Sequence, residues 1–210
     1  MINIGGDTLI KSIDKNVYKH ALKVFALATI ILMIMTVITY FCHPAINDVK
    51  HLGNSSTNIS SNPQGLSKVW HFIVNNGCFV PVQMFILALI PIPFLYMLNI
   101  VISVIIPGIM FGIFLNFDLH KAFTAIIAYI PHYTLEIMAY CILASGLYML
   151  NKAIVRKVTN LFRKKKKDNY PFKKSLFKVI KIYFIFTLPL IILAAFTETY
   201  VADWIYQLMN

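Results

Sequence analysis

The sequence predicts an all-α protein, a polytopic membrane helix bundle of about five transmembrane helices with the N-terminus inside and the C-terminus outside. Three observations carry this reading. Hydrophobic residues make up 59% of the 210-residue chain, and the mean hydropathy is +0.72. A soluble domain of this size needs less apolar surface. Five apolar stretches each come close to or exceed the roughly 20 residues that cross a bilayer. The basic residues then segregate. With five spans, every Lys and Arg except Lys50, Lys68 and Lys121 falls on one side of the membrane, which the positive-inside rule makes the inner side.

The whole chain, 1–210, reads as a single membrane domain. Residues 1–20 form an inner, interfacial segment in which Leu9, Ile13 and Val17 share one helical side, away from Lys11, Lys15 and Lys19. The first span covers 21–41. It lacks an A-x-A-like cleavage site and is too long for a signal h-region, so it is expected to stay as an anchor. An outer loop, 43–69, is rich in Asn and Ser and reads as a flexible connection; Asn54-Ser-Ser and Asn58-Ile-Ser within it match the glycosylation pattern of secretory routes. The second span, 72–90, stops at Pro91-Ile-Pro93. The third covers 94–115, the fourth 123–150 and the fifth 180–201. Between the last two lies a basic inner loop, 151–179, carrying Arg163, Lys164, Lys165, Lys166 and Lys167. That run acts as a topological lock, and it can also contact anionic lipid. The Lys, Asn and Ile content points to an AT-rich genome, hence to a multi-pass protein of a bacterial cell membrane.

Composition also excludes functions. A net charge of +11 would suggest nucleic acid in a soluble protein, but here the charge sits in loops and topology accounts for it. Cys42, Cys78 and Cys141 form no CxxC pair, so neither a disulfide framework nor a zinc site follows. There is no HExxH and no Ser/His/Asp arrangement, so no catalytic residue, metal or cofactor is expected.

Polar residues inside the spans need an explanation. Asn75 and Asn76 open the second, Gln83 follows, Asn99 lies in the third, and Glu198 is near the outer end of the fifth. His132 and Glu136 lie in the fourth after Pro131, four residues apart and so on one helix face. A carboxylate in hydrocarbon costs several kcal/mol unless it finds a partner or water. Pro131 has no N–H, which frees the carbonyl near Ile127. Asn75, Asn76, His132, Glu136 and Glu198 are therefore expected to form a buried polar cluster open toward the outer face. Three roles stay open: tying helices together at about 0.6 kcal/mol per hydrogen bond, holding a partner or ligand, or handling protons or ions. His132 and Glu136 could supply two metal ligands, with no clear third.

Gly108 and Gly112, after Pro107, form a Gly-x-x-x-Gly pattern, and Gly146 lies in an Ala-Ser-Gly run. Both allow close helix approach, within one chain or in a homo-oligomer. Tyr129, Tyr148 and Tyr183, with Tyr40, Phe41, Tyr200, Trp204 and Tyr206, read as interfacial anchors.

Several of these residues carry a resemblance. Asn75-Asn76 entering a span, Pro131-His132-Tyr-Thr-Leu-Glu136 leading to Ala144-Ser145-Gly146-Leu147, and Leu193-Ala-Ala-Phe-Thr-Glu198-Thr are similar to the stage II sporulation protein M family. The similarity runs from about Trp70 to Trp204, with the same span count and a basic last inner loop. The chain departs from the family pattern at Tyr133, where Gly is common, at Asn99-Ile100, where Asn-Gly is expected, and at Pro91-Ile-Pro93. The resemblance implies a non-enzymatic integral membrane protein. Sporulation members are scaffolds for wall hydrolases, and other relatives occur beside transporter ATPases or protect against membrane-active bacteriocins. The expected function is thus a membrane scaffold or immunity-like protein; the alternative is a membrane subunit of a transporter or exporter working with a separate ATPase, since no nucleotide-binding motif is present. The expected partners are the lipid bilayer and another protein: a wall hydrolase, a transporter ATPase or a peptide toxin.

Overall fold

A computed structural model describes residues 15–42 and 64–209. Most of the proposed interfacial segment and most of the outer loop, with Asn54 and Asn58, lie outside the described residues. Among the described residues there are five helices long and apolar enough to cross a membrane. They are α1 (Lys15–Cys42), α2 (Leu66–Leu89), α3 (Leu95–Phe117), α4 (Leu119–Leu161) and α5 (Phe172–Met209). The all-α, five-span class expected from hydropathy is the one found.

The ends of the helices differ from expectation. Helix α4 has 43 residues, about 65 Å at 1.5 Å per residue, twice the roughly 30 Å of a hydrocarbon core. The segment 151–179, expected as a loop, is mostly helix, and only 162–171 connects α4 to α5. The cause is local. No Gly or Pro occurs between Gly146 and Pro171, and the charged run after Leu150 consists of residues such as Lys, Arg and Ala that favour a helix. Pro171 then directly precedes α5.

Helix α4 is the central post. In its most apolar window 72% of residues are buried, against 17–33% for the other four helices. Tyr140, Cys141, Ala144, Leu147 and Leu150 are fully enclosed. Helices α1 and α3 pack on each other and on α4, while α2 and α5 cover the rest of it. Large side chains such as Leu27, Ile30, Met33, Ile34 and Val37 remain exposed along α1, as a lipid-facing surface requires.

The Gly-x-x-x-Gly pattern works within the chain. A Cβ on Gly108 would stand 2.9 Å from the Leu32 carbonyl oxygen, and one on Gly112 would stand 2.6 Å from the Thr36 carbonyl oxygen and from Thr39 Cβ. Backbone cannot yield at these points, so α1 and α3 approach only because both side chains are missing. Gly146 instead meets the tip of Ile182, at 2.9 Å, which can rotate away. Gly112→Ala is therefore expected to lower stability by about 1–3 kcal/mol and Gly146→Ala by clearly less. Thermal unfolding in detergent checks this, and equal effects would contradict the assignment.

The connections on either side of α3 are short. Asp118 alone joins α3 to α4; its Oδ1 accepts the Lys121 N–H at 3.1 Å and caps the new helix. That backbone N–H, with the Lys121 ammonium 3.3 Å away, holds the exposed Asp118 carboxyl below the usual range. The α2–α3 turn, with Pro91 and Pro93, is tied by one side chain. The Asn151 amide donates to the carbonyls of Ala88 (2.9 Å), Ile90 (3.0 Å) and Ile92 (3.3 Å). The turn closes on Phe94, a bulky residue at φ +64°, a left-handed conformation that costs about 1–2 kcal/mol.

Candidate functional site: a polar network between α2, α4 and α5

The network begins with a missing donor on α2. Residues Ile73–Phe79 form a widened turn in which the Val80 N–H bonds the Asn75 carbonyl, five residues back. In that register the Asn76 carbonyl would need the N–H of residue 81, which is proline. The α-helical partner of Gly77 is also Pro81. Tyrosines from two neighbouring helices take these carbonyls. The Tyr140 hydroxyl of α4 donates to Asn76 O at 3.2 Å, and the Tyr183 hydroxyl of α5 donates to Gly77 O at 2.7 Å. Helix α5 has two similar widened turns: Tyr183–Thr187, just before Pro189, and Thr197–Val201, which contains Glu198. Three such turns among the described residues, two of them beside prolines, make backbone carbonyls available between helices.

His132 uses one of them. Its Nδ1 lies 3.2 Å from the Ala194 carbonyl of α5, an oxygen that also accepts the Thr197 hydroxyl at 2.8 Å. A carbonyl only accepts, so Nδ1 carries the proton. This leaves Nε2 facing the Glu136 carboxyl, 2.6 Å away, within the buried interior. One proton held between them keeps the pair neutral overall, the state favoured in a low-dielectric interior. Phe72 and Tyr129 stand edge-on around the imidazole, with centroids 4.9 and 5.5 Å from it. Tyr140, one further turn along α4, reaches both the Asn76 carbonyl and Glu136. His132, Glu136 and Tyr140 thus form a ladder at i, i+4 and i+8 on the face of α4 that meets α2 and α5.

The residues expected to converge do so only in part. His132 and Glu136 are buried and paired. Asn76 contributes its backbone carbonyl instead of its amide. The Asn75 side chain is exposed and bonds only the Asn76 amide oxygen, at 2.8 Å, a correction to its expected burial. Consecutive helical residues point about 100° apart, so both amides cannot face α4. Glu198 stands at the edge of the cluster. Its carboxylate is 3.7 Å from Lys68 Nζ, at the mouth between α2 and α5, and partly exposed. Among the described residues, no group of three or more His, Cys, Asp or Glu could hold a metal.

Reading the tyrosines as interfacial anchors missed their roles here. Tyr129 packs on His132, Tyr183 bonds α2, and Tyr148 stacks between His20 and Phe94. Tyr133 fills the seam with α1: its hydroxyl is 3.0 Å from Thr29 Oγ1 and its ring lies against Phe25. Asn151 was also missed. The signal that could have found it is a Pro-x-Pro turn, which has carbonyls to satisfy but few donors of its own.

The fold and the site define a multi-pass helical membrane protein whose central post is bonded to two neighbouring helices through an imidazole and a phenol, with an acid paired to the imidazole. The chain belongs to the family of stage II sporulation protein M, whose model matches residues 21–203 and so reaches all five helices. No curated protein and no solved structure matches the chain.

Proposed function

We propose that this protein is a non-enzymatic membrane scaffold in which the His132–Glu136–Tyr140 ladder fixes the bundle. Its partner, a wall hydrolase or a peptide toxin, meets the end that carries Lys68 and Glu198. One observation supports this best: the ladder's polar groups are engaged with each other or with carbonyls of α2 and α5, as expected of a fixed frame. The presenting end is marked by exposed Trp70 and Trp204 beside the Lys68–Glu198 pair. The distribution of Lys and Arg supports an orientation with that end outside the cell and the N-terminus and the Arg163–Lys167 run inside. Asn75, exposed on α2, belongs to the outer half of the same surface.

Two measurements test the reading. A photo-crosslinker placed at position 70 or 204 is expected to trap a discrete protein adduct in cells, and the adduct should weaken when Lys68→Glu breaks the pair. Liposomes holding the purified chain are expected to show no flux that depends on Glu136. Flux of a peptide, lipid or ion that disappears in Glu136→Gln would overturn the scaffold in favour of a transporter subunit.

A further inference from the structure

The end of the bundle opposite Glu198 is strongly basic. Asp168 is the only acidic side chain among the described residues there. A cavity of about 280 Å³ opens at that end, where the extension of α4 passes the α2–α3 turn. Lys152, Arg156 and Arg163 line it together with Phe94 and Tyr148. The two rings are stacked, with centroids 6.0 Å apart. The ion pairs Lys68–Glu198, Lys121–Asp118 and His132–Glu136 lie elsewhere, and among the described residues no carboxylate is paired with these three cations.

We propose that this cavity binds the phosphodiester headgroup of an acidic phospholipid, with Arg156 and Lys152 on the phosphate and the Phe94–Tyr148 stack beside the start of the acyl chains.

Four features favour this occupant. First, the depth is right. The apolar run of α4 ends at Leu150, and the cations begin at Lys152, at the level where hydrocarbon gives way to headgroups. Second, the spacing is right. Lys152 and Arg156 are four residues apart on one helix face, and the guanidinium fork suits two phosphate oxygens. Third, the cations are held in place. The Tyr170 ring lies 4.8 Å from Lys152 Nζ and 5.1 Å from the Arg156 guanidinium carbon. The loop that brings Tyr170 back is pinned by Asn160. Its amide donates to the Lys167 carbonyl at 2.6 Å and to Asn169 Oδ1 at 2.9 Å, and its own oxygen accepts the Lys167 N–H at 3.2 Å. Fourth, the apolar wall is built around the strained Phe94, and strain of this kind gathers at binding sites. A soluble phosphate would have no use for that wall. Lys164, Lys165 and Lys166, exposed in the loop, do not line the cavity; they supply only the diffuse attraction of a polybasic run.

The test uses the full chain in a nonionic detergent and phosphate-free buffer. Dioctanoyl phosphatidylglycerol is titrated in and followed by calorimetry, with dioctanoyl phosphatidylcholine and inorganic phosphate as parallel arms. Saturable binding of phosphatidylglycerol alone is expected. K152Q/R156Q should weaken it by about tenfold or more. Arg156→Lys, which keeps the charge and loses the fork, should weaken it severalfold, and K164Q/K165Q/K166Q by less than about twofold. Unchanged thermal unfolding of Arg156→Lys separates lost binding from lost fold. Wild-type affinity in K152Q/R156Q, an equal loss in the loop variant, or equal binding of phosphatidylcholine would overturn the proposal. Competition by inorganic phosphate at concentrations matching the lipid would reassign the cavity to a soluble anion. Displacement by a polyglutamate peptide at lower concentration would reassign it to an acidic protein segment. Either result overturns the lipid assignment.

Discussion

Glu136→Leu is expected to destabilise the bundle by about 3–5 kcal/mol, the cost of breaking a buried pair by removing one member. The Nε2 of His132 then faces apolar atoms 2.6 Å from where its partner stood, while Nδ1 stays committed to Ala194. Tyr140 also loses the carboxyl it approaches. Glu136→Gln should cost far less, about 1 kcal/mol, because the amide N–H can donate to the lone pair on Nε2. The variants are compared by thermal unfolding of the purified chain in one detergent, with His132→Leu added to the set. His132→Leu combined with Glu136→Leu should recover much of the loss, since replacing both partners leaves no orphaned group. Equal melting of the Gln and Leu variants would mean that the pair contributes nothing to the fold, and the ladder would lose its proposed role.

Asn151→Asp is expected to be the second most damaging single change, at about 3 kcal/mol or more. It is nearly isosteric, so packing is unchanged, but a carboxylate has no donor. Three carbonyl oxygens 2.9–3.3 Å away would then face a negative charge. Pro91 and Pro93 have no N–H groups to offer in exchange. Asn151→Ala should cost less, about 1–3 kcal/mol, because water at this end of the bundle can reach the turn. Protease cleavage at the α2–α3 turn, timed in detergent, gives a local readout besides global unfolding. If Asp is tolerated as well as Ala, the amide is not what holds the turn.

The membrane map was readable from the sequence because it depends on composition summed over about 20 residues. Five spans and their order followed from that sum. The true ends of α4 did not, because hydropathy marks where the lipid stops and not where the helix stops. The site was half legible. His132 and Glu136 could be paired from spacing alone, since four residues fix a shared face. The partners across the bundle could not, because they are backbone carbonyls of Asn76, Gly77 and Ala194, and a carbonyl has no letter in the sequence. Their origin was visible only indirectly, as Pro81 beside Asn75-Asn76. Asn75 misled for the same reason: a polar residue in a span reads as buried, but a widened turn can employ its neighbour's backbone and leave the side chain outside.

Helix α4 is one unbroken rod from Leu119 to Leu161. The run from Glu136 to its far tip is 25 residues, about 38 Å. Over that length even a small tilt is large at the tip: a rotation of about 5° at the acid–imidazole pair would move it by roughly 3 Å, about the length of a hydrogen bond, so a fixed frame requires that pair to hold α4 without play.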